Sequence, residues 1–181
     1  GEKLLRLTLV EKEKVFGKNH PSTVATMLNL GLLLKEMGNF DLARRQLGYV
    51  VQVQSDIYGE NDAAVLKTME LIATIHVEQR MYDAALIILK QVLASKLMEF
   101  GKNHPDTVGV LETIAEVHMH DKDWENAKDV YMKASYAREE RSGKNDPTAL
   151  NCYNRLGKIC EKLEDYNECT LQYKKLLGGT I

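Results

Sequence analysis

Two stretches of the chain carry residue types that could hold a phosphate: FGKNHPST at residues 16–23 and FGKNHPDT at residues 100–107. Glycine lets backbone amides approach an anion, and the lysine beside it supplies positive charge. A phosphate loop also needs an earlier glycine and a Ser or Thr directly after the lysine, yet Lys18 and Lys102 are each followed by asparagine. Histidine offers no metal set either. His118 and His120 stand two apart, which on a helix puts them on different faces, and His20, His76 and His104 stand singly. Nucleophilic catalysis would need Cys152, Cys160 or Cys169 beside a histidine in an open cleft, and no spacing arranges that. The expectation is therefore no catalytic residue, no metal and no cofactor.

The elements that carry these stretches explain them better. Gly17, Gly59, Gly101 and Gly143 stand 42 residues apart. The same offset relates Gly31, Ala73, Ala115 and Gly157, then Ala43, Ala85, Ala127 and Cys169, then the aromatics Phe40, Tyr82, Trp124 and Tyr166. A fixed period of this size is the mark of a repeat array. Within a repeat, Val24, Met27, Leu28, Leu30, Gly31 and Leu34 recur at helical spacing, as do Ala43, Leu47, Val50, Val51 and Ile57 after the aromatic. Each repeat is thus a pair of helices, and small residues mark where backbones approach.

The stretches that opened the question become joints between repeats. Pro21, Pro105 and Pro147 suit the first turn of a helix, where a missing amide donor costs nothing. His20, Asp62, His104 and Asp146 then fall at the cap position. The glycines end the preceding helix, where a left-handed conformation is expected.

Net charge −2 and pI near 6.2 give no basic field for nucleic acid or an anionic membrane surface. The longest apolar runs, LGLLL and AALIIL, fall far short of the ~18 residues of a membrane span, and no cleavable signal opens the chain. Three late cysteines point to reduced thiols in a cytoplasmic setting.

The small, aromatic and leucine positions in MLNLGLLL…ARRQL and YNRLGKIC…CTLQY resemble the tetratricopeptide repeat. HPSTVATMLNLGLLLKEMGNFDLA and HPDTVGVLETIAEVHMHDKDWENA are similar to the longer repeat of kinesin light chains and nephrocystin-like proteins. The resemblance implies an all-α, right-handed α-solenoid of antiparallel helix pairs. Residues 1–16 would be the second helix of a preceding repeat, with repeats at 17–58, 59–100, 101–142 and, truncated, 143–181. The register predicts a piece of a longer array whose bare ends self-associate.

The resemblance also implies a non-catalytic scaffold that takes a partner or cargo peptide on the concave face of the first helices, with a possible cytoskeletal or ciliary association. In this register the face comprises Leu28, Asn29, Leu32 and Lys35, then Glu70, Leu71, Thr74 and Glu78. It continues through Glu112, Thr113 and Glu116, then Asn151, Asn154, Arg155, Lys158 and Lys162. Glu70, Glu78, Glu112 and Glu116 make the middle repeats acidic, and Arg155, Lys158 and Lys162 make the last repeat basic. A partner peptide would then carry basic residues centrally and a carboxylate end toward the last repeat, anchored near Leu28, Leu32 and Leu71. Two alternatives are a co-chaperone array gripping the acidic tail of a heat-shock chaperone, and the regulatory domain of a larger signalling enzyme.

Overall fold

A computed structural model describes residues 1–143 and 147–165 together with 167, 170, 171 and 174, the side chains of 147–150 excepted. Asp146, Tyr166 and Cys169, assigned above as a cap, an aromatic and a core thiol, lie outside the described residues. Among those described, every regular element is a helix: α1 Glu2–Phe16, α2 Pro21–Glu36, α3 Phe40–Tyr58, α4 Ala63–Glu78, α5 Tyr82–Phe100, α6 Pro105–His120, α7 Trp124–Ser142 and α8 Pro147–Lys162. The first helices begin 42 residues apart, and so do α3, α5 and α7. The chain is an all-α array of helix pairs, as the period predicts. It divides into two compact units, residues 1–88 and 89–181, with the division inside α5.

Cap chemistry sets the helix starts. His20 Nδ1 accepts from the Ser22 amide at 3.2 Å, His104 Nδ1 from the Asp106 amide at 3.3 Å, and Asp62 from the Ala64 amide at 2.8 Å. Phe16 stacks on His20 with ring centroids 4.7 Å apart, and Phe100 stacks on His104 at 4.5 Å, so each FGKNH stretch folds the same way.

The joint glycines depart from the expected conformation. Gly17 has φ 83° and ψ 168°, Gly59 94° and 155°, Gly143 83° and 169°. This is not the compact left-handed well but an extended positive-φ region open essentially to glycine alone. A Cβ at these positions would meet nothing within 4 Å, so the backbone angle, not crowding, demands glycine.

The left-handed turn stands instead at the end of each first helix. Gly38, Arg80, Lys122 and Glu164 have φ of 75°, 58°, 63° and 57°. The next amide reaches back across the turn: Asn39 N to Leu34 O at 2.9 Å, Met81 N to His76 O at 2.8 Å, Asp123 N to His118 O at 2.9 Å and Asp165 N to Cys160 O at 3.0 Å. That closure satisfies carbonyls the helix end would otherwise leave unpaired.

In the first unit Leu30, Leu34, Ala43, Leu47 and Ile75 form one buried cluster, edged by Phe40, Leu5 and Leu9, and Val24, Met27, Val50 and Val53 form a second. In the second unit Ala115, Ala127, Tyr131, Tyr153, Leu156 and Ile159 pack together under Trp124, beside Val108, Ala134 and Ala137. The 42-residue small positions lie at the heart of both.

Candidate functional site

In the first unit the expected face is only partly available. Asn29 and Glu78 are exposed, and Leu32, Lys35, Glu70 and Thr74 are half-buried. Leu28 and Leu71 lean on the buried clusters, so they belong to the edge of the core and do not stand out as anchors for a ligand. The physical reason is the width of the apolar stripe, which on a packed helix spans more than 100° and takes in the flanking leucines. Lys35 Nζ lies 2.9 Å from Glu78 Oε1, tying α2 to α4 across this face. Thr74 Oγ1 donates to the Leu71 carbonyl at 2.7 Å.

The second unit places the remaining residues on α6 and α8. Asn151, Lys158 and Lys162 are exposed, while Glu112, Thr113, Glu116, Asn154 and Arg155 are half-buried. The acids expected to meet a ligand are already engaged. The Arg138 guanidinium of α7 grips Glu112 with two hydrogen bonds, Nε to Oε1 at 2.6 Å and Nη2 to Oε2 at 2.7 Å. Such a fork is the strongest side-chain hydrogen-bond geometry available to a carboxylate. Arg155 Nη1 sits 2.9 Å from Glu116 Oε1, its Cζ 5.9 Å from the centre of the Tyr131 ring. The separation of an acidic middle from a basic end therefore does not survive in this unit: Arg155 and Arg138 neutralise Glu116 and Glu112 in place.

Glu112 also gives the Cys152 thiol a partner. Cys152 Sγ donates to Glu112 Oε1 at 3.0 Å. Burial first, then the neighbouring Glu112 carboxylate, pushes this thiol up to about 12, the opposite of what a nucleophile needs. Hydrogen bonding to Glu112 raises Arg138 further. Burial likewise raises the Tyr131 phenol above its ordinary range.

A recurrent polar tie went unread in the sequence. Lys12 Nζ donates to Thr26 Oγ1 at 2.9 Å, and Thr68 Oγ1 donates to Gln54 Oε1 at 2.8 Å. Lys12, Gln54 and Arg138 share one register on the second helices, and Thr26, Thr68 and Cys152 share one on the following first helices. The signal was there: a polar residue at a constant place in an apolar stripe.

His118 is buried against Asp123, Nδ1 to Oδ2 at 3.1 Å, while His120 is exposed, as their spacing predicts. Among the described residues no group of three or more His, Cys, Asp or Glu side chains could hold a metal ion, and no helix is long and apolar enough to cross a membrane.

Comparison with known proteins follows this geometry. One tetratricopeptide repeat model matches residues 23–64 and 65–106, and a second matches residues 99–177. Among solved structures, a Podosopora anserina putative kinesin light chain with nearly identical TPR-like repeats is 16% identical, with TM-score 0.81 over 98% of this chain and 84% of that one. BtubC (BKLC) from P. vanneervenii is 14% identical, with TM-score 0.75 over 98% and 71% of the two chains. The apo form of RapI is 10% identical, with TM-score 0.79 over 97% of this chain and 46% of that one. At these identities the likeness is one of fold. No curated protein matches the sequence.

Proposed function

The chain belongs to the tetratricopeptide repeat family, and on that premise we propose that it is a non-catalytic interaction scaffold of kinesin-light-chain type, which takes partner or cargo peptides on its first helices. One observation carries the reading of partner chemistry. In the second unit Glu112 and Glu116 are paired with Arg138 and Arg155, so the exposed charge on α8 is that of Lys158 and Lys162 with Glu161 among them, two cations to one anion, on the helix that also exposes Asn151. A peptide with acidic residues fits this face, and asparagine amides serve its backbone. In the first unit the exposed Asn29 and the half-buried Leu32 offer a polar and an apolar contact. The buried thiols Cys152 and Cys160 support a reducing, cytoplasmic setting.

Peptide arrays test the chemistry directly. Acidic peptides should be retained at low salt and released as salt rises, because screening weakens exposed charge pairs. Preferential retention of basic peptides would overturn the reading. The acidic tail of a heat-shock chaperone is less favoured: the exposed lysines of this face, Lys158 and Lys162, both lie on α8, and α6 adds no lysine or arginine.

A further inference from the structure

Tyr131 of α7 carries a hydroxyl that the fold does not use. The residue is 1% exposed, its ring packs among Ala115, Ala127, Tyr153, Leu156 and Ile159, and its hydroxyl has no hydrogen-bond partner. At the same register the two preceding repeats have Leu47 and Leu89, both buried, so the place needs apolar bulk and no hydroxyl. A buried polar atom left unpaired costs stability, and one that a native fold retains calls for a reason.

The reason lies in what surrounds the hydroxyl. Beyond burial itself, the phenol feels the charges of Arg155 on α8 and Glu116 on α6. The Arg155 guanidinium lies over the ring, Cζ 5.9 Å from its centre, and is tied to α6 by one contact, Nη1 to Glu116 Oε1 at 2.9 Å. The two side chains are 38% and 44% exposed, so the pair is weak and opens at little cost. The two-bond fork of Arg138 on Glu112 is less exposed and holds more firmly. Arg155 also shares one stripe of α8 with Asn151, Lys158 and Lys162, at spacings of four, three and four residues.

We propose that Arg155 and the Tyr131 hydroxyl form a subsite for one carboxylate of the partner peptide, closed in the free chain by Glu116. The proposal rests on the acidic-peptide reading of the α8 face. The incoming carboxylate replaces Glu116 on the guanidinium, an even exchange of one ion pair for another, and Glu116 turns into solvent. What the ligand gains is the Tyr131 O–H, a donor in a site closed to water, where a hydrogen bond to an anion is stronger than at an open surface. Lys158 and Lys162 attract acidic peptides at large, whereas the hydroxyl selects one carboxylate at one place and so gives the bound peptide a register.

Tyr131→Phe tests this, because it removes the hydroxyl alone. Fluorescence anisotropy reads Kd for the most strongly retained acidic array peptide and for variants of it in which single acids become the corresponding amides. Tyr131→Phe should raise Kd about tenfold for the parent peptide and leave it within about twofold for the one amide variant that lacks the seated carboxylate. Its Tm should equal or exceed that of the wild type, since the free chain loses an unpaired buried group. An unchanged Kd in Tyr131→Phe, while Lys158→Glu/Lys162→Glu weakens binding, would overturn the subsite and leave the acidic-peptide reading standing. No effect from either would overturn both. A loss spread evenly over every amide variant, or a lowered Tm, which would show the hydroxyl already paired in the free chain, would also overturn the proposal.

Discussion

A Cβ added to Gly31 would lie 2.6 Å from Leu47 Cδ2 and 2.8 Å from Leu47 Cγ, so α2 and α3 meet where no side chain fits between them. Leu47 is itself fully buried and has no room to yield. Gly31→Leu should cost about 3 kcal/mol through overpacking and lower Tm accordingly. Gly48, mid-helix in α3 and open to space, is the control: Gly48→Ala should stabilise by up to about 1 kcal/mol on helix propensity alone. Thermal melts of the two variants should move in opposite directions, and movement in the same direction contradicts the packing.

Lys122 holds a left-handed turn that glycine fills at the equivalent position of the first repeat, Gly38. Lys122→Gly should stabilise by about 0.5–1 kcal/mol, the relief of left-handed strain exceeding the added entropy of the unfolded chain. Urea titration measures it. A loss of stability would show that the lysine side chain contributes more than its backbone costs.

How far these features were legible in the sequence divides along one line. Small residues at Gly31 and Ala115 and aromatics at Phe40 and Trp124 repeat in kind, so period alone placed them. The turn at Gly38, Arg80, Lys122 and Glu164 repeats in backbone angle but not in residue type, and only the glycine signalled it. The polar ties gave a weaker signal, since Lys12, Gln54 and Arg138 repeat in polarity but not in residue type. The ion pairs on the candidate face were illegible because side chains from three helices, α6, α7 and α8, decide them.

Removing Arg138 leaves Glu112 largely buried with the Cys152 thiol as donor. Arg138→Met should therefore destabilise the second unit by about 2 kcal/mol, less than a wholly buried pair because both partners keep some solvent. Adding Glu112→Leu should recover most of that loss. A double variant no better than the single one would mean that the arginine acts through packing of its stem.

Alkaline pH should weaken the fold through Cys152. Its thiol rises from the ordinary 9.0 to about 12 in the folded chain, so between these values the folded state retains a proton that the unfolded state has lost. Stability is complete below pH 9 and falls as pH rises toward 12. The raised phenols of Tyr131 and Tyr153 act with the same sign from about pH 10. Tm measured from pH 8 to pH 10 should decline, and Cys152→Ser, which keeps a donor for Glu112 but does not titrate there, should flatten the first part of the decline. An unchanged profile in Cys152→Ser would place the titration elsewhere.

The central claim is that the first helices, and α8 in the second unit above all, present the binding face. The most direct measurement is fluorescence anisotropy of an acidic peptide selected on the array, titrated with the wild-type chain, with Lys158→Glu/Lys162→Glu, and with Lys133→Glu on the exposed side of α7. The account predicts that the double reversal raises Kd about tenfold or more while Lys133→Glu leaves it within about twofold. Equal Kd values for the double reversal and the wild type, or a larger loss with Lys133→Glu, would contradict it.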